Sequence, residues 1–97
     1  MRVISRRILR EFWEKHADAA IPLQTWFHEA EQAAWTNPAD INAVYRNASI
    51  LANNRIVFNI KGNRYRLVVL VVYVHNVVYI RFIGTHEEYD RIDAATI

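Results

Sequence analysis

Between Arg55 and Ile83 the chain is dominated by Val, Ile, Leu, Phe and Tyr, in the tracts RIVFNI, YRLVVLVVYV and VVYIRFI. Little separates them beyond two turn signals, Gly62-Asn63 and His75-Asn76. β-Branched and aromatic residues at this density fit a pleated, packed surface better than a helix. Connections this short allow only antiparallel hairpins, because a parallel pair needs a long crossover. The stretch therefore predicts three neighbouring strands. Its longest apolar run, Leu67 to Val74, is far too short to span a bilayer.

Side chains alternate faces along a strand, so a two-residue turn determines which residues lie opposite one another. A turn at Gly62-Asn63 sets Lys61 against Arg64, Asn59 against Arg66 and Val57 against Val68. A turn at His75-Asn76 sets Val74 against Val77, Leu70 against Arg81 and Arg66 against Thr85. Ile56, Phe58, Ile60, Leu67, Val69, Val71, Tyr73, Val78, Ile80 and Phe82 then share one apolar face. The other face collects Asn59, Lys61, Arg64, Arg66 and Arg81, with Val68, Leu70, Val72 and Tyr79 beyond them.

The apolar face needs a cover, and the first half of the chain supplies amphipathic helices. Ser5 is a candidate N-cap for a helix over Ser5 to Ala17, with Ile8, Leu9, Phe12 and Trp13 at helical spacing. Arg6, Arg7 and Arg10 stand on its polar side and read as a solvated face. Pro22 suits the first turn of a second helix, whose stripe of Leu23, Trp26, Phe27, Ala30 and Ala34 ends near Trp35. Asn37-Pro38 starts a short third helix through Ile41, Val44 and Tyr45. Met1 to Ile4 is either an edge strand or a lead-in, and Ala48 to Asn54 has no periodicity. With 97 residues, 53% of them hydrophobic, the chain has material for one two-layer core. The expectation is a single α+β domain over residues 1–97, with N-terminal helices on one face of a small, mainly antiparallel sheet and a short C-terminal helix.

That last helix begins at Thr85-His86-Glu87-Glu88, the pattern of a capping box. His86, Tyr89 and Asp90 then share one helical flank. His86, Tyr89, Arg66, Arg64 and Lys61 are expected in one concave patch. Cations that neutralise phosphate, beside a His and a Tyr, suit RNA cleavage by 2′-hydroxyl attack. The same cations equally describe a solvated rim, and the residues alone leave both readings open. His16, His28 and His75 read as structural or exposed, and Trp13, Trp26, Phe12 and Phe27 as core. There is no Gly-rich phosphate loop, nucleophile elbow or paired-carboxylate arrangement, and no His-x-x-x-His spacing points to a metal. Zero Cys excludes a thiolate metal site and a disulfide framework. The N-terminus is charged and has no apolar h-region, so no signal peptide is expected and the cytoplasm is the default compartment. A net charge of +2 is a weak argument for tight binding to free nucleic acid.

Two segments, RIVFNIKGNRYRLV and VYIRFIGTHEEYD, resemble the HigB toxins of bacterial toxin–antitoxin pairs, and Trp35-x-x-Pro38-Ala-Asp-Ile and Ala48-Ser-Ile-Leu fit the same pattern. The resemblance implies a RelE-like fold and a metal-independent endoribonuclease that cuts mRNA on the ribosome, with no cofactor. It also implies a HigA-like helix-turn-helix antitoxin as partner. Transferred by position, Arg66 and Arg81 would stabilise the phosphorane, Lys61, Asn63 and Arg64 would hold the RNA backbone, and His86 would be the general acid or base. Tyr89 would orient or stack, and Asp90 would orient His86. The competing expectation is a non-catalytic module that binds an antitoxin or RNA.

Overall fold

A computed structural model describes residues 1–97. In chain order the elements are β1 (Arg2–Ile4), α1 (Arg6–Lys15), α2 (Ala20–Gln32), α3 (Pro38–Val44), β2 (Ser49–Ile50), β3 (Arg55–Ile60), β4 (Tyr65–Val72), β5 (Val77–Thr85) and α4 (His86–Tyr89). A 3₁₀ turn over Ala17–Ala19 joins α1 to α2. The strands form one sheet in the order β1-β5-β4-β3-β2. Three of its four pairings are antiparallel, and β1 lies parallel to β5 on the outer edge. The architecture is the α+β, RelE-like arrangement read from the sequence, and the segment before Arg6 is an edge strand. No helix is long and apolar enough to cross a membrane.

The helix boundaries follow local chemistry. Asn37 accepts a hydrogen bond from the Asp40 amide and Pro38 occupies the first turn, so α3 starts where its cap predicts. Ser5 stands just before α1 but is left-handed, at φ 76°, and its side chain caps nothing, so that expectation is corrected. Helix α1 closes at Lys15, short of Ala17, and α2 closes at Gln32 rather than near Trp35. Ser49 and Ile50 pair with Val57 and Ile56 as a strand that alternation over so few residues could not announce.

The first hairpin has the expected register, with Val57 opposite Val68 and Asn59 opposite Arg66. Lys61 and Gly62 take left-handed φ values of 56° and 62° to turn it. The second hairpin does not have the expected register. Its loop is four residues long, with a 3₁₀ turn over Tyr73–His75 and Asn76 left-handed at φ 56°, so Val72 rather than Val74 faces Val77. Leu70 consequently faces Tyr79, not Arg81. Further along, Val69 faces Ile80 and Val68 faces Phe82, which leaves Arg81 as the extra residue of a β-bulge. Beyond the bulge Arg66 faces Gly84 and Tyr65 faces Thr85, in place of the expected Arg66–Thr85 pair.

The bulge changes which side chains share a face. Helices α1 to α3 bury Leu9, Leu23, Trp26, Ala30 and Ile41 against Ile56, Phe58, Leu67, Val69, Val71, Val78 and Ile80. Phe82, expected among them, lies on the opposite face, where it joins Val57, Val68 and Ala94 with Leu51, Tyr89, Ile92 and Ile97. The sheet is therefore covered on both sides, by helices on one and by the segment after α4 on the other. Asn53 Nδ2 donates to the Ala95 carbonyl at 3.0 Å and Arg55 Nε to the Ile97 carbonyl at 3.1 Å, tying that segment down. Gly84 is needed where it is: a Cβ there would stand 2.5 Å from the Phe82 ring.

Candidate active site

The end of the β4–β5 pair, where Tyr65 and Thr85 lie opposite each other, carries a cleft of about 430 Å³. His16 lines it from the end of α1, Arg64 and Tyr65 from the start of β4, and Thr85, His86 and Glu87 from the junction of β5 with α4. Two histidines and an arginine thus share one open hollow, drawn from three separate parts of the chain.

The wall from α1 is held by aromatic packing and one carboxylate. The His16 ring stacks on Phe12, one helical turn earlier, with centroids 4.3 Å apart and planes 21° apart. It meets Tyr65 edge-on at 5.5 Å. Asp18, in the 3₁₀ turn, accepts a hydrogen bond from the buried Tyr65 hydroxyl and pairs with Arg64 Nη1 at 3.0 Å. The hydrogen bond from Tyr65 holds the Asp18 carboxyl below its ordinary range; Arg64 and Lys61 add to this, and burial opposes it. The same bond raises the Tyr65 phenol. Asp18 therefore stays ionised, and Tyr65 keeps its proton at neutral pH.

The opposite wall depends on a single helical turn. The Thr85 hydroxyl accepts from the Glu88 amide at 3.2 Å and Glu88 Oε1 accepts from the Thr85 amide at 2.8 Å, closing the expected capping box. The Thr85 amide keeps the Glu88 carboxyl below its ordinary range. This box sets the first residue of α4, His86, at the cleft. His86 Nδ1 lies 3.2 Å from Asp90 Oδ2. A carboxylate can only accept, so Nδ1 carries hydrogen and Nε2 is the nitrogen left for other work.

The structure divides the residues expected to form one patch. Arg64 and His86 both line the cleft, and Asp90 pairs with His86. Arg64 turns toward Asp18 in the helical layer, and Lys61 lines a separate hollow with Ile21, Pro22 and Trp26 of α2, so neither keeps to the sheet face away from the helices. Arg66 lies beside Gly84 and donates through Nη1 to the Asn63 carbonyl at 2.9 Å. Arg81 is the exposed bulge residue, displaced from its expected place opposite Leu70. Tyr89 is half-buried against the cluster of Val57, Val68 and Ala94 and anchors α4. Asp18 and Tyr65 were not singled out from the sequence, and His16, which lines the cleft, was read there as structural or exposed. Tyr65 shares parity with Leu67, which places it toward the helices, but nothing local says that the α1–α2 turn reaches it. No three His, Cys, Asp or Glu side chains group as metal ligands would.

Residues 19–92 match the HigB toxin family, described as a RelE-like toxic component of a toxin–antitoxin system. The chain is 27% identical over 96 residues to the mRNA interferase toxin HigB of Escherichia coli K12, covering 97% of this chain and 92% of that protein. The mRNA interferase HigB of Shigella flexneri matches equally, at 27% over the same shares. A third relative, the mRNA interferase HigB of E. coli O6:H1 strain CFT073, is 21% identical over 94 residues, 95% of this chain and 91% of the relative.

Proposed function

Because the chain belongs to the HigB toxin family, RelE-like toxic components of toxin–antitoxin systems, we propose that it is an endoribonuclease that cleaves mRNA and so stops translation. The observation that carries the reading is that Arg64 and His86 line one cleft, with Asp90 on Nδ1 of His86. Relatives matching over nearly the whole chain are named mRNA interferases, which supports the same reaction here.

The chemistry is transfer of phosphorus from a 5′-oxygen to the neighbouring 2′-oxygen. The 2′-hydroxyl loses its proton as it attacks, the P–O5′ bond breaks, and the departing 5′-oxygen takes up a proton. A 2′,3′-cyclic phosphate and a 5′-hydroxyl remain. Arg64 supplies fixed positive charge to the non-bridging oxygens as they gain charge. His86, oriented through Nδ1 by Asp90, presents Nε2 for one of the proton transfers. Arg66, Arg81, Lys61 and Asn63, which lie outside the cleft lining, serve to hold the RNA strand, and Tyr89 sets the position of α4. The reaction as written requires no metal.

A net charge of +2 provides little general attraction for free RNA. We therefore take mRNA engaged on the ribosome as the substrate, and from the toxin–antitoxin family we take a helix-turn-helix antitoxin as the inhibitor. The test is inducible expression of wild type beside His86→Ala and Arg64→Ala, with cut sites mapped on total mRNA. Wild type should arrest growth and leave cuts within translated frames, and either variant should lose about 100-fold or more of the cleavage. Growth arrest without cuts would reduce the protein to a binding module.

A further inference from the structure

The proposed cleavage needs two proton transfers, and His86 provides for one. The cleft holds a second imidazole. We propose that His16 is the other proton-transfer group, working across the cleft from His86; the inference rests on the ribonuclease reading given above.

Three observations carry it. His16 and His86 line the same hollow from different elements, together with Arg64, which pairs with Asp18. In-line displacement places the entering and departing oxygens on opposite sides of phosphorus, which calls for groups on two walls rather than one. His16 is also positioned as a working group would be. Phe12 lies flat against its ring and Tyr65 meets it edge-on, so the plane of the imidazole is set by packing. Tyr65 is itself secured through its hydroxyl to Asp18, which also takes one arm of Arg64. The α1–α2 turn thus fixes His16 and Arg64 together. Finally, His16 lines a neighbouring hollow together with Glu88 of α4, which puts its ring near the wall that carries His86.

The bland alternative is that His16 only fills space between Phe12 and Tyr65. His16→Phe separates the two, because it keeps a flat ring in the stack and removes both nitrogens; His16→Gln serves as a second variant that retains polarity. Each is compared with wild type and His86→Gln in single-turnover cleavage of short synthetic mRNAs in ribosomal complexes. Two substrates are used, one with ordinary oxygen and one with sulfur at the 5′-bridging position of the scissile phosphate. Sulfur leaves without a proton, so it replaces a missing acid and does nothing for a missing base.

On the oxygen substrate, His16→Phe, His16→Gln and His86→Gln should each fall about 100-fold, while thermal melts show the His16→Phe fold intact. On the sulfur substrate one of the two histidine sites should recover to near the wild-type rate and the other should not. Wild-type cleavage by either His16 variant on the oxygen substrate overturns the inference and leaves the ribonuclease reading standing. Recovery at both sites or at neither also overturns it, since the two rings then do not divide the labour. Failure of wild type to cut either RNA removes the ribonuclease reading, and the inference with it.

Discussion

Asp18 is a small example of how a residue outside every strand can organise the end of a sheet. Its carboxylate accepts from Tyr65 and pairs with Arg64, and the first of these contacts does most to keep it ionised. Asp40 is held below its ordinary range in the same way, chiefly by the Thr36 amide and also by the Thr36 hydroxyl. Glu88 is held there by the Thr85 amide. Each folded-state pKa lies below the unfolded value of about 4. A lowered carboxyl adds stability that is fully present above that value and disappears as pH falls through the folded one. The melting temperature should hold steady from pH 7 to about 5 and drop steeply below about 4. Asp18→Asn and Asp40→Asn should each flatten that acid limb; an unchanged limb in both variants would show that other groups govern it. The Thr85–Glu88 pair was legible as a capping box, but the partner of Asp18 was not. Asp18 and Tyr65 are 47 positions apart, and no local pattern announces a contact at that distance.

Among the elements, the two hairpins show what turn chemistry does and does not reveal. The first was legible because Gly62 marks its turn and the opposed tracts have matching alternation. The second was not, because Asn76 marks only the end of a loop that begins at Tyr73. The bulge at Arg81 left no mark at all, since Arg is not a residue that bulges select. It nonetheless decides the outcome for Phe82 and Ile83, which pack on opposite faces of the sheet. Deleting Arg81 would restore simple alternation with Phe82 still opposite Val68 and both side chains on the faces they now occupy, so only the local twist of the bulge would be lost. The deletion should therefore cost about 1 kcal/mol and Arg81→Ala less than about 0.5 kcal/mol, whereas Phe82→Ala, which removes the ring packed on Val68, should cost about 3 kcal/mol. Chemical denaturation of the three variants measures the difference, and a deletion as costly as Phe82→Ala would mean that the bulge itself holds the strand in place.

For the molecule as a whole, two layers were expected and the sheet proves to be covered twice. The clue was in β4, whose LVVLVV run does not alternate; continuous apolar strands are the mark of burial on both faces. Leu67, Val69 and Val71 face the helices, while Val68 is fully buried under Ala94 and its neighbours. Ala94 is 7% exposed, so Ala94→Asp should lower stability by about 2–3 kcal/mol by placing a charge against Val57 and Val68. Amide exchange should then quicken in residues 92–97 before it does in the helices. An unaltered exchange pattern would mean that this segment does not protect the sheet. The outer strand β1 has a different consequence, one of timing. It lies parallel to β5, with Arg2 against Val77 and Ile4 against Tyr79, so the second strand of the chain's edge pair is synthesised some seventy residues after the first. Domains can fold during synthesis as their parts emerge, but β1 has no partner until β5 is made, and His86 follows β5 directly. A nascent chain can therefore assemble helices and the first hairpin while it still lacks the cleft. The cleft that we read as the cleaving site comes into being only after β5 and the start of α4 have been made.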